Sequence, residues 1–348
     1  MTETLRVRVE DASQAGEARR AAASVCHELG FSEVDAGRVS LLVTEAATNL
    51  ARHARGGELL LCPLRHGEVA GIEILAVDRG PGMSNPGRSL RDGFSTGGSP
   101  GTGLGALRRL SSAFDLFSEP GKGTAVLCRY WADHFPGGLP PGPLETGAVC
   151  VSVTDGDPCG DAWAVEHAAA SSLLLVCDGL GHGEPASEAS RTATRLFREN
   201  PAQGPGEMVE TLHRGLRGTR GAALAVLGAD PARGTVRFCG IGNIGARIVS
   251  GDEERHLVSQ SGIVGHEASR IREYSYTWPE NSLLVVHSDG LSASWRCSSS
   301  PGLASHDPSV VAAVLYRDYG RARDDRTVVV ARRRAQGPAP AASLEAIA

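Results

Sequence analysis

Glu45 and Asn49 stand four apart in LLVTEAATNLARHA, so a helix stacks a carboxylate and an amide on one face, with His53 a turn further along. On a helix whose other positions (Leu42, Val43, Ala46, Leu50) are apolar, such polar groups can equally well face solvent. Their context favours a site. VDRGPGM ends an apolar strand in Asp78, followed by Gly80 and Gly82, and GTGLGA places Gly101, Gly103 and Gly105 at the opening of a helix. Backbone without Cβ can approach a phosphate chain, and the free N–H groups and positive end of the next helix stabilise anions, so a nucleoside triphosphate is the expected occupant. These turns account for part of the glycine excess, 44 of 348 residues against a usual share of about 7%. Gly121 to Thr124 (GKGT) lacks the spacing of a P-loop and reads as the end of a hairpin.

A second set of carboxylates lies in the other half of the chain. Asp161, Asp178, Asp289 and the pair Asp324-Asp325 all stand at the ends of apolar strands. Asp161 and Asp178 are 17 positions apart, a hairpin's length, so neighbouring strands can bring them together. Each Asp-Gly is by itself a turn signal. Converging carboxylates, however, repel one another unless a hard cation neutralises them, and ligands that are all oxygen select Mg²⁺ or Mn²⁺ over zinc. His182 in DGLGHG is either a proton donor to a leaving oxygen or a residue that structures its loop, and Asp325 is an alternative ligand to Asp324. The G-x-S-x-G strings at 93–97 and 97–101 follow no apolar strand, as a nucleophile elbow must, which disfavours Ser-His-Asp hydrolysis. The eight cysteines form no C-x-x-C pair, so neither a zinc site nor a redox motif is spelled.

The elements that must position these groups divide into two halves. In the first, 15–29, 33–54 and 103–113 read as helices, and 58–64, 71–77 and 124–131 as strands. The second is rich in strands (149–154, 161–167, 171–177, 222–228, 236–240, 246–250, 282–287, 327–332), with helices near 187–199, 206–216 and 308–316. Pro136 to Pro143 (PGGLPPGP) forbids helix and central strand. The expected organisation is therefore α/β (α+β) in two domains: 1–134, a linker over 135–146 that allows relative motion, 147–334, and a frayed tail over 335–348. A net charge of -5 offers no basic surface for a phosphate backbone, so nucleic acid is not an expected partner. The start lacks the apolar core of a secretory signal and the longest apolar runs fall far short of the ~18 residues that cross a bilayer. A cytoplasmic protein with no membrane partner is expected.

In order, Glu45-x-x-x-Asn49, Asp78-x-Gly80-x-Gly82, Gly101-x-Gly103-x-Gly105 and Gly121-Lys122-Gly123-Thr124 resemble the GHKL ATP-binding fold. The run from Asp92 to Trp131 is similar to the anti-sigma-factor serine kinases, in particular the stressosome switch kinases, and the likeness covers about residues 5–132. It implies a histidine-kinase-type ATPase α/β sandwich binding ATP and Mg²⁺. In it Asp78 would hydrogen-bond the adenine amino group, Thr124 would support the adenine, Asn49 would hold Mg²⁺ and Glu45 would polarise the attacking serine hydroxyl. Phosphoryl transfer is mostly positioning and charge neutralisation, which that residue set can supply. A histidine autokinase is the neighbouring reading, but no preceding helical pair presents a phosphoacceptor, and His27 and His53 read as structural or solvent-facing.

The segments GDAW (160–163), CDGLGHG (177–183), FCGIGNIGARI (238–248), HSDGLSASW (287–295) and DDRTVVVAR (324–332) resemble the metal-dependent PPM protein phosphatases of the SpoIIE-like branch, over about residues 147–333. Within it, RGAALAVLGAD (220–230) and GIVGH (262–266) are most similar to stressosome feedback phosphatases. The resemblance implies an αββα sandwich holding two Mn²⁺ or Mg²⁺ ions. Asp178 would bridge them, joined by Asp161 and the Gly179 carbonyl on one and by Asp289 and Asp324 on the other. Such a pair lowers the pKa of a shared water and clamps phosphoryl oxygens. Together the two likenesses imply a partner-switching regulator acting on a serine or threonine of STAS-domain proteins, either an anti-sigma antagonist or a stressosome scaffold. The alternatives are a phosphatase whose ATP pocket only senses nucleotide, and a non-catalytic module that binds a STAS or sigma-like factor.

Overall fold

The computed structural model describes residues 4–54, 56–90, 103–132, 144–168, 171–268 and 270–333. In the first half, β1 (Leu5–Val9), β2 (Gly57–His66), β3 (Val69–Asp78), β4 (Ala113–Glu119) and β5 (Gly123–Trp131) form an antiparallel sheet in the order β1-β2-β3-β5-β4. Helices α1 (Ala15–Glu28), α2 (Glu33–His53) and α4 (Gly103–Leu110) cover one face, and α3 (Pro86–Ser89) is a single turn between β3 and β4. Ser32 starts α2 by accepting the Asp35 N–H; Glu33 and Asp35 in its first turn and Arg52 and His53 in its last complement the helix dipole. The hairpin read from GKGT is β4–β5.

In the second half two sheets face each other. One has the order β13 (Ser259–Gln260), β10 (Thr235–Ile241), β9 (Ala222–Asp230), β8 (Ser172–Gly179), β7 (Asp161–His167), with β14 (Tyr274–Thr277) also on β10. The other has the order β12 (Glu253–His256), β11 (Gly245–Ser250), β15 (Leu283–His287), β16 (Arg326–Arg333), β6 (Leu144–Val151). Helices α5 (Glu184–Glu199) and α6 (Pro205–Gly215) pack outside the first sheet, and α7 (Pro308–Tyr319) outside the second. This is the αββα sandwich expected.

The faces of the strands say what lies between the layers, because successive side chains point to opposite sides. On β2, β3 and β5, Leu59, Leu61, Ile72, Ile74, Ala76, Val126 and Cys128 enter the core under α1 and α2. Their alternates Leu60, Leu75, Val77, Ala125 and Leu127 enter another core, shared with α7 and with Val149, Val151, Val285, Val328 and Val330 of the second half. Helix α7 is thus buried between two sheets, with Val310 to Tyr316 all at 2% exposure or less. The molecule stacks as helices, sheet, α7, sheet, sheet, helices.

Three expectations change. β6 begins at Leu144 and pairs with β16 along its whole length, so a strand starts inside the segment read as linker; residues 133–143 lie outside the described residues. A shared core replaces the independent motion expected of the halves. β1 and β4 were not foreseen. Their half-buried, mixed-polarity sequences become strands by pairing with β2 and β5, a tertiary effect that local pattern does not carry.

Candidate functional sites

The first site lies along α2. Gly103, at the start of α4, stands so close to it that a Cβ there would meet Glu45 Oε1 at 2.2 Å and Asn49 Oδ1 at 3.2 Å. Glu45, Asn49 and Gly103 are therefore gathered, as their types suggested. At the far end of α2, a Cβ on Gly80 would meet the His53 carbonyl at 2.8 Å, so the turn after β3 abuts the helix end. Asp78 Oδ1 accepts the Gly80 N–H at 2.7 Å and the Thr124 N–H at 3.2 Å. Thr124 Oγ1 in turn bonds Ser118 Oγ at 2.9 Å, which accepts the Met83 N–H. Burial pushes the Asp78 carboxyl up, against the pull of those two amides. Gly82 holds φ +66° with the Glu119 carbonyl 2.1 Å from where its Cβ would be, so only glycine fits there. Gly105 is buried inside α4, and Gly101 lies outside the described residues. The Asn49 amide Nδ2 is buried with no hydrogen-bond partner among the described residues, a donor that calls for a ligand oxygen. These features fit a nucleotide with its magnesium.

The second site sits where strand ends of the two facing sheets meet. Asp161 opens β7 and pairs directly with Asp178 on β8. From the other sheet, Asp289 follows β15 and Asp324 precedes β16. Burial pushes Asp178 up to about 9, helped by the charges of Asp161, Asp289 and Asp324. Burial likewise lifts Asp161 to about 7, against the hydroxyls of Ser288 and Thr327. Asp324 is raised by burial and then by Asp289. Burial is the main cause of all three shifts and neighbouring aspartate charges add to it, a repulsion that a bound cation would relieve. No three side chains of ligand type close into one coordination sphere among the described residues; the aspartates ring the cleft from two sheets. Their all-oxygen chemistry fits a hard divalent ion. Gly179 ends β8, and its N–H bonds the Gly160 carbonyl at 3.0 Å.

Asp324 and Asp325 differ in their hydrogen bonds. Asp325 is buried and spends both oxygens on backbone, accepting Val153 N–H at 2.7 Å and Gly160 N–H at 2.6 Å. Asp324 is the carboxylate that faces Asp289. His182 is exposed in the turn before α5. Sequence reasoning missed Asn243, whose Nδ2 donates to Asp289 Oδ2 at 2.6 Å, and Ser288, whose Oγ donates to Asp161 Oδ2 at 2.6 Å. Ser288 directly precedes an Asp-Gly turn at a strand end, which was the available signal; nothing local marks Asn243. A groove of about 1520 Å³ lined by Arg6, Glu28, Arg65, Asp155 and Trp163 touches neither site. No described helix is long and apolar enough to cross a membrane.

The fold joins an ATPase-like domain of the histidine kinase type to a phosphatase-type αββα sandwich. Residues 9–130 match the histidine kinase-like ATPase domain family, and residues 169–334 match the stage II sporulation protein E family. The chain belongs to the histidine kinase-like ATPase family and fuses it to a SpoIIE-type phosphatase domain. It is 35% identical over 114 residues to the serine/threonine-protein kinase RsbT of Bacillus subtilis, covering 33% of this chain and 86% of that protein. It is 23% identical over 149 residues to the phosphoserine phosphatase RsbX of the same organism, covering 42% of this chain and 71% of that one. A solved structure from work on the bacterial stressosome as a modular system controlling secondary-messenger signaling matches 54% of this chain and 99% of its own, with 30% identity and a TM-score of 0.50.

Proposed function

We propose that this chain is a partner-switching regulator whose C-terminal half dephosphorylates phosphoserine or phosphothreonine on a STAS-domain protein and whose N-terminal half transfers phosphate from ATP to the same class of target. The observation that carries the phosphatase reading is the register pair Asp161–Asp178 on one sheet, met by Asp289 and Asp324 from the other. Asp161, Asp178, Asp289, Asp324 and the Gly179 carbonyl would hold the divalent ions. When bound, the ions supply acidity that makes water a nucleophile at neutral pH and neutralise the phosphoryl oxygens. This chain's part is to hold the carboxylates in place, with Asn243 fixing Asp289. In the other half Asp78 would bind adenine, Asn49 magnesium, and Glu45 the incoming hydroxyl. A phosphoryl group adds about -1.5 to -2 charges, enough to make or break a protein interface.

Release of phosphate from p-nitrophenyl phosphate and from a phosphorylated STAS-domain protein is expected with Mn²⁺, and is expected to stop with EDTA and in Asp178→Asn. Activity that survives both treatments rejects the reading.

A further inference from the structure

Resting on the phosphatase reading, we propose that Ser288 is a positioning residue of the carboxylate site: its hydroxyl ties Asp161, carried by one sheet, to the strand ends of the facing sheet that carry Asp289 and Asp324. Ser288 is fully buried between β15 and Asp289. Its Oγ donates to Asp161 Oδ2 at 2.6 Å and accepts the Thr327 N–H at 3.1 Å, while its own N–H bonds the Thr327 carbonyl at 3.1 Å. Asp289 follows Ser288 by one residue, and Thr327 lies three beyond Asp324. One hydroxyl therefore bonds Asp161 of one sheet and the backbone of the strand that follows Asp324 in the other.

A second tie runs beside it. The Gly160 N–H, next to Asp161, donates to Asp325 Oδ2 at 2.6 Å, and Asp325 adjoins Asp324. The backbone at Asp161 is held by Asp325 and its side chain by Ser288. Without these ties, mutual repulsion would let the carboxylates of the two sheets separate, and a cation would have to draw them together at the expense of its affinity. A hydroxyl is needed because it must donate to a carboxylate and accept an amide at once. Alanine leaves Asp161 Oδ2 and the Thr327 N–H unpaired. Groups that orient metal ligands typically change metal affinity about 10–100-fold when removed.

The test is Mn²⁺ binding by the full-length chain, followed through the electron paramagnetic resonance of free Mn²⁺, alongside thermal unfolding without metal. Ser288→Ala should weaken Mn²⁺ binding about 10–100-fold. At saturating Mn²⁺ its KM for a phosphoserine peptide should stay at the wild-type value, and Ser288→Thr, which keeps the hydroxyl, should bind Mn²⁺ more tightly than Ser288→Ala. If Ser288→Ala lowers the melting temperature but leaves Mn²⁺ affinity unchanged, the residue is structural only and the proposal fails. Should the alanine variant not fold, Ser288→Cys, whose slightly larger thiol is a much weaker donor and acceptor, gives the same readout. Asp161→Asn tests the metal site itself: if it binds Mn²⁺ as tightly as wild type does, the metal-site reading is wrong, whatever Ser288 does.

Discussion

Asp161 and Asp178 illustrate how a site can weaken the fold that carries it. Burial and mutual charge raise both above the ordinary 3.8, to about 7 and about 9. An acid whose pKa is higher folded than unfolded contributes stability that is complete below the unfolded value and is lost as pH rises through the folded one. The metal-free chain should therefore lose melting temperature between about pH 4 and pH 9, over the window these two shifts define. Asp178→Asn should flatten that loss and raise the metal-free melting temperature at pH 8 while abolishing Mn²⁺-dependent phosphate release. An unchanged slope in calorimetry would show that folding does not hold the Asp178 carboxyl above its ordinary value. In the other half, Glu45→Ala should leave ATP affinity within about threefold and lower transfer to a STAS-domain partner about 10²–10⁴-fold, the usual worth of a general base. Comparing filter-binding affinity with incorporated ³²P checks both parts.

Close approach between elements is the second scale. Helix α4 approaches α2 at position 103, where a Cβ would lie 2.2 Å from Glu45 Oε1 and would push that carboxylate aside. Gly103→Ala should therefore weaken ATP binding about tenfold or more, through displaced Glu45 and Asn49, while melting temperature moves little. Equilibrium titration with a fluorescent ATP analogue measures it. Strand β5 meets α7 through charge as well as apolar contact. Arg129 donates to Glu73 Oε2 at 2.6 Å and to both oxygens of Asp307, which caps α7 through the Ser309 N–H. Glu73 is only 4% exposed, so Arg129→Ala strands a buried carboxylate and should cost about 3–5 kcal/mol in denaturant unfolding.

At the scale of the whole molecule, the burial of α7 against both sheets predicts cooperative unfolding. Trp131 reports on the first half and Trp278 and Trp295, both fully buried, on the second. Single-tryptophan variants should give coincident denaturant midpoints, whereas two separated transitions would show that the shared core contributes little. The tie is also specific at one end of α7. Arg317 Nη1 donates to the Asp78 carbonyl at 3.2 Å and Arg79 donates to the Arg317 carbonyl. Just beyond the helix, the Arg321 N–H bonds the Gly290 carbonyl at 2.8 Å, next to Asp289.

Both architectures and both residue clusters were legible in the sequence because they rest on local rules. Four-residue spacing fixed the shared helix face of Glu45 and Asn49, glycines marked close approach, and hairpin-length spacing put Asp161 opposite Asp178. Even the helix between the sheets left a trace, for Ser309 to Tyr316 (SVVAAVLY) is apolar all round, as a helix buried on every side must be. What covers that helix could not be read, since an apolar face does not name its partner. The choice between Asp324 and Asp325 was equally out of reach. The two differ in which carboxylate meets the backbone amides of Val153 and Gly160, and those contacts exist only once distant strands have been brought together.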